Sequence, residues 1–347
     1  MIFGEEMMNN EFTEVIEKTQ KLLSDNHEWK DRYENYARGI SDNIEGIKNI
    51  KKKFHQWAPL YIYMNVGEAK GSASTFNLRY LGQAVADLNI ANGDVKLKGK
   101  KEKEKNTCAI KNKRDFNCDV NVSPKGVGWR EEQAVEFRRH FSKYPIRTKD
   151  NNKGNEEHRI ESMLLTEFSK NKGKDKRKEL HNIQPVLMAK KARFQMPTPL
   201  SASDKKNIKY SGTGGGGIDI MARVGGGRGN GTKFCIVEVK DEYLKTEPPK
   251  TAIKQALVYA TFIRELLRSE QGDIWWRIFG RGGKVLSKLK ICVTCAMPFP
   301  ASDEKPDKSF GGNQLNIGED VFELHYIYFR EETNRIKHVE TSLRGNK

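Results

Sequence analysis

Gly217-Ile-Asp-Ile-Met-Ala-Arg-Val224, a glycine-rich turn from Gly225 to Gly231, and Phe234-Cys-Ile-Val-Glu-Val-Lys240 are the stretch on which the reading of this chain depends. Two short apolar runs rich in Ile and Val, separated by glycines, predict two strands. Side chains alternate across a strand with period two, so Glu238 and Lys240 share one face while Cys235, Val237 and Val239 take the other. If the two strands pair as a hairpin, Asp219, near the start of the first, comes beside Glu238, near the end of the second. Two carboxylates and a lysine then converge at one sheet edge.

That combination suits phosphodiester hydrolysis. Hard carboxylate oxygens bind Mg²⁺ through a few direct contacts and leave waters and a substrate phosphate to complete the octahedron. Mn²⁺ can substitute. Lys240 can orient or deprotonate a water, or stabilise phosphate charge. Outward from this core the pattern predicts a helix over 251–267 with Gln255 and Tyr259 on one face, and strands over 289–296 and 321–330. Upstream lie a helix over 156–170 and a short apolar segment at 183–188. The succession is an α/β domain with a mixed sheet.

Four elements in this order resemble the PD-(D/E)XK nuclease superfamily over roughly residues 156–296. They are a helix with an acidic residue (Glu161, or Glu157 one turn earlier), Ile218-Asp219, Glu238-Val239-Lys240 as the E-x-K, and Gln255-x-x-x-Tyr259 on the following helix. The resemblance implies a restriction-endonuclease-like mixed sheet flanked by helices. It also implies metal binding by Asp219, Glu238, the Val239 carbonyl and Glu161, with Lys240 catalytic and Gln255 assisting. Ile218 stands where the family commonly has Pro. Glu161 is favoured over Glu157 because Met163, Leu164 and Phe168 form the adjoining apolar stripe.

The region before this domain is of a different kind. From Glu11 to Trp57 apolar residues, among them Trp29, Tyr33, Tyr36, Ile40 and Ile44, recur at helical spacing and predict an amphipathic helix. Its partner is either the rest of the domain or the same helix of a second subunit. Between Pro59 and Lys98 short runs predict a small antiparallel β unit with a hairpin at Asn92-Gly93. A helix follows over 129–141, and the polar segment from Lys143 to Asn155 reads as a linker. This divides the chain into an N-terminal helical and β region, 1–145, and a nuclease-like domain, 150–347.

Sixty-two Lys and Arg against 46 Asp and Glu give a net charge of +16 over 347 residues, a field that attracts polyanions. Lys96 to Lys105, Lys170 to Lys178, Lys190, Lys191 and Arg193 are candidate backbone contacts. The glycine runs lack the Gly-Lys-Ser/Thr ending of a Walker loop and read as mobile hairpin loops. Five cysteines without a second C-x-x-C argue against a disulfide framework, and Cys292 and Cys295 read as core residues. No histidine sits with a cysteine at zinc spacing, and His158 reads as a surface residue. No apolar run is long enough for a membrane span. The expectation is a cytoplasmic Mg²⁺-dependent endonuclease acting on DNA, with RNA as the other candidate substrate, a restriction or anti-phage setting, and a homodimer as one possible assembly. The competing expectation is a nucleic-acid-binding protein with a silent nuclease fold.

Overall fold

The computed structural model of the chain describes residues 2–45, 59–67, 74–91, 94–99, 120, 122–123, 125–143, 153–170, 177–188, 192–202, 208–225, 231–244, 246–301, 304–332 and 335–343. These form two units, both discontinuous in sequence. The first comprises Met1–Ala37, Met163–Val186 and Gln195–Lys347; the second comprises Arg38–Ser162 and Leu187–Phe194. Each of the two sequence regions, 1–145 and 150–347, therefore contributes to both units, and most of the expected linker lies outside the described residues.

The chain begins with two helices, α1 (Ile2–Asp25) and α2 (Glu28–Asp42), where the periodicity predicts one. The break falls at Asn26 and His27: the Asn26 amide donates to the Leu22 carbonyl and closes the first helix with a side chain. Residues 46–58, the end of the expected helix, lie outside the described part.

In the second unit, β1 (Leu60–Asn65), β2 (Ser74–Tyr80), β3 (Gln83–Ala91), β4 (Asp94–Lys98) and β5 (Val127–Gly128) form an antiparallel meander. The small β unit is thus as expected. Ala91 pairs with Asp94, so β3 and β4 are joined across residues 92 and 93, which themselves lie outside the described part. Helix α3 (Glu132–Lys143) buries Ala134, Phe137 and Phe141. Helix α4 (Lys153–Ser169) then runs from this unit into the first.

The first unit is built on a mixed sheet. Its strands are β6 (Ile183–Pro185), β12 (Ile220–Val224), β13 (Lys233–Val239), β14 (Lys290–Pro298), β15 (Gln314–Ile317), β16 (Asp320–Glu332) and β17 (Arg335–Thr341). Their order is β15-β16-β14-β13-β12-β6, with β17 also on β16. β12 pairs antiparallel with β6 and β13, whereas β13 with β14 and β14 with β16 are parallel. A parallel pair needs a crossover, and α5 (Pro249–Arg268) supplies it between β13 and β14. Helix α6 (Gly272–Ile278) follows. Residues 291–297 of β14 are all buried, as in a strand covered on both faces. The short strands β7 (Leu187–Met188), β8 (Ala192–Pro197), β9 (Leu200–Ser201), β10 (Lys209–Tyr210) and β11 (Gly217–Ile218) complete the chain; β8 pairs with β7 and β11, and β9 with β10.

The aromatic stripe of the N-terminal helices is satisfied inside the first unit. Trp29 and Tyr33 meet Phe262 of α5 edge-on at centroid distances of 5.7 and 4.9 Å. Of the two partners expected for that face, the rest of the domain is the one observed.

Candidate functional site

Asp219 sits at a bend where the chain changes partners. The two residues before it, β11, pair with β8, and the residues after it, β12, pair with β13. The expected strand over 217–224 is therefore two strands, and Asp219 belongs to neither ladder. Ile220 pairs with Val237, so the register continued by one step sets Asp219 opposite Glu238. Directly opposed residues of an antiparallel pair project from the same face. The Asp219 carboxylate accepts the Val239 N–H at 2.8 Å. Because a strand residue's N–H and C=O point to the same side, the Val239 carbonyl also faces the Asp219 side, beyond the end of β12.

The Lys240 ammonium donates to Glu238 at 2.9 Å, and both side chains are largely buried. A second acid, Glu247, lies 3.8 Å from the same ammonium. Glu247 was not singled out from the sequence; its only local signal is a carboxylate just ahead of Pro248-Pro249, where α5 begins. At the carboxyl end of β13, Asp219 is thus tied to the Val239 backbone, and Glu238 and Glu247 flank Lys240. Each carboxylate offers two oxygens, so a bond through one does not bar coordination through the other. The donors are hard oxygens and fit Mg²⁺ or Mn²⁺.

Helix α5 lies on the face that carries Glu238. Glu238 is in register with Cys295 of β14, which is in register with Tyr326 of β16, and Asp320 has the same parity as Tyr326. Arg264 and Arg268 of α5 both bond to Asp320, which is 1% exposed and also accepts the Leu289 N–H at 2.8 Å. Burial alone would raise the Asp320 pKa; bonds from Arg268 and the Leu289 N–H, with the charges of both arginines, outweigh it and hold the group below its ordinary value. This knot fastens the end of the crossover helix to the sheet.

Gln255 and Tyr259 are buried on α5. The Gln255 amide nitrogen donates to the Ala202 carbonyl at 3.0 Å, while its oxygen is buried without a hydrogen-bond partner. The Tyr259 hydroxyl closes on Gly216, where an added Cβ would stand 2.7 Å from it. Within residues 212–217, Gly215 and Gly216 are held against neighbouring backbone and side chain. Gly216 donates to Leu200 and accepts from Thr198, both at 2.8 Å, and a Cβ on Gly215 would meet the Thr198 carbonyl at 2.0 Å. Close backbone approach is what these glycines permit. Most of the second glycine run, 226–230, lies outside the described residues.

Glu161 belongs to the second unit. It is 4% exposed, in keeping with the apolar stripe used to choose it, and Met163, Leu164 and Phe168 are all buried. His158 stands 3.2 Å from its carboxylate and is itself half exposed; that hydrogen bond raises the His158 pKa against the opposing effect of burial. Arg193 departs from expectation. It is 3% exposed, lies over the Tyr61 ring and donates to Tyr63 and Ser162, so it is a core residue and not a backbone contact. Lys190, Lys191 and residues 171–176 lie outside the described part.

The opposite face of the sheet is not purely apolar. Cys292, Glu323 and His325, all buried, bring their sulfur, oxygen and nitrogen atoms within 4.8 Å of one another. Lys233 donates to Glu323 at 2.5 Å, and His325 bonds to Ser342 at 3.0 Å. The nearby His325 imidazole, against the upward effect of burial and helped by the Lys233 bond, brings the Glu323 pKa down to about 2. Sequence spacing could not reveal a cysteine with a histidine here, because the two reside on different strands. Cys295 does not join them: residues three apart in a strand project from opposite faces. Cys235, Cys292 and Cys295 are free and buried, as expected for core cysteines, and burial raises all three thiol pKa values.

No family model, curated protein or solved structure matches the chain. Among the described residues no helix is long and apolar enough to cross a membrane.

Proposed function

We propose that this protein is a metal-dependent nuclease that hydrolyses DNA phosphodiester bonds, with Asp219, Glu238 and the Val239 carbonyl as metal ligands and Lys240 as the catalytic cation. The carrying observation is that the Asp219 carboxylate accepts the Val239 N–H, next to Glu238, while Lys240 donates to Glu238. The element order also supports it: an acidic helix, the two-strand hairpin, the crossover helix and a parallel strand follow one another as the PD-(D/E)XK resemblance implies. Gln255 is the assisting amide of that resemblance, and Glu161, the carboxylate it assigns on the upstream helix, belongs to the second unit.

Bound Mg²⁺ would supply Lewis-acid polarisation of the phosphoryl group and a more acidic water. The chain's own part is positional. Asp219 is fixed by its bond to the Val239 amide, so the carboxylate and the neighbouring carbonyl are presented together. Lys240, on the face of Glu238, is a hydrogen-bond donor placed to orient water or to meet a phosphate oxygen. Glu247 adds a second negative charge 3.8 Å from that ammonium. The buried Gln255 oxygen, which has no hydrogen-bond partner, is an acceptor on the helix covering the same face.

The test is incubation of the purified protein with plasmid, linear DNA and RNA, each with and without Mg²⁺. Metal-dependent DNA cleavage is expected. Cleavage of RNA alone would reassign the substrate, and binding without cleavage would favour a silent nuclease fold. Binding, measured in EDTA, is expected to weaken linearly in log salt, with a slope of about −0.9 for each phosphate neutralised. A flat salt response would count against nucleic acid as the partner of this +16 chain.

A further inference from the structure

We infer that Cys292, Glu323 and His325 form a second metal site, for a borderline transition ion such as Zn²⁺, on the opposite sheet face from Glu238 and Lys240. Cys292 and Glu323 are register partners on the parallel strands β14 and β16, and His325 is two residues beyond Glu323 on the same face. Glu238, in contrast, is in register with Cys295, whose side chain takes the other face.

The separations are those of a ligand set. The Cys292 sulfur is 4.0 Å and the His325 Nε2 3.8 Å from Glu323 Oε2. Tetrahedral coordination at ordinary zinc bond lengths requires roughly 3.5 Å between ligand atoms, so adjustments of a few tenths of an ångström suffice. The histidine is already oriented. Its Nδ1 bonds to the Ser342 hydroxyl, which also accepts the Tyr326 N–H at 3.2 Å, and so Nε2 is the nitrogen turned toward Glu323. A fixed outer hydrogen bond of this kind is what metal-ligating histidines ordinarily have.

A thiolate, an imidazole and one carboxylate select against Mg²⁺ and for Zn²⁺ or Co²⁺. Three protein ligands leave the fourth position to water. Lys233 donates to Glu323, where its ammonium would compete with a metal cation. Its side chain is 30% exposed and can swing outward when the ion enters. Lys233 is thus a competitor for the site, which gives the inference a signed consequence.

The experiment is a Co²⁺ titration of chelator-treated, reduced full-length protein, read by the thiolate-to-cobalt charge-transfer band and by the d–d envelope of tetrahedral cobalt. The band is expected to saturate as one equivalent fills this site and to be lost on displacement by Zn²⁺. Cys292→Ser should abolish the charge-transfer band, and His325→Ala should weaken binding by about tenfold or more. Lys233→Ala should tighten it, whereas a purely structural Lys233–Glu323–His325 ion network predicts no such gain. Glu238→Ala should leave the band intact, so loss of the nuclease activity and loss of this site are separable. Circular dichroism checks that each variant is folded. No band in the wild-type protein, or a band that survives in Cys292→Ser, would overturn the assignment.

Discussion

Replacing Glu238 or Lys240 with alanine is expected to lower Mg²⁺-dependent cleavage by about a thousandfold or more while leaving the chain folded. The magnitude follows from the several kcal/mol that metal and cation stabilisation contribute to a phosphoryl transition state, at about 1.4 kcal/mol per tenfold in rate. Folding should survive because the pair lies at the end of β13, beyond the apolar centre of the sheet, and Glu247 remains near Lys240 when Glu238 is removed. DNA affinity in EDTA should change little in either variant if binding rests, as proposed, on the general excess of Lys and Arg. A plasmid-nicking assay with equal amounts of folded protein reads the result. Undiminished cutting by both variants would refute the assignment of the centre.

The second large effect concerns stability. Asp320→Ala is expected to cost about 3–5 kcal/mol, the range for removing one partner of a buried ionic group. It leaves two guanidinium groups and the Leu289 N–H without the carboxylate they share. Denaturant unfolding measures the loss, and a cost under about 1 kcal/mol would show that the arginines find water instead. The pH dependence has a fixed sign. Asp320 has its folded pKa held below the ordinary value, so its contribution is present above the unfolded pKa and is lost as pH falls through the lower, folded one. Acid unfolding of the wild type should therefore include a component, below the usual aspartate range, that is absent from Asp320→Ala. Cleavage should fall in the same variant, because the knot holds the helix that carries Gln255.

The hairpin was legible in the sequence because alternation and glycine punctuation act over a few residues. β13 lies within one residue of its predicted limits, β12 shares its predicted end but begins three residues later, and α5 extends the predicted helix by two residues at its start and one at its end. The bend at Asp219 was not legible. It is produced by β8, a strand from another part of the chain that captures residues 217 and 218. β15 and β17 escaped notice because edge strands on β16 expose half their residues and carry no long apolar run. The Asp320 knot and the Cys292–Glu323–His325 group depend on parallel register across distant segments, which no local pattern encodes. The division into two discontinuous units has the same origin, since α4 reads as one ordinary helix and β8 was not singled out, although both cross a unit boundary.

Parallel pairing also orders the events of folding. The β12–β13 ribbon closes over a short connection, whereas Cys235 meets Cys292 and Cys292 meets Glu323 only after much longer loops have been closed. Loop closure costs entropy before such contacts repay it, so the local ribbon should form first and the long-range ladder late. Pulse-labelling of amides during refolding should find β12 and β13 protected before β14 and β16, and simultaneous protection would contradict this order. On that sequence of events Asp219 and Glu238 are brought opposite one another early, while the cysteine, glutamate and histidine of the other face meet only when the final strand has docked.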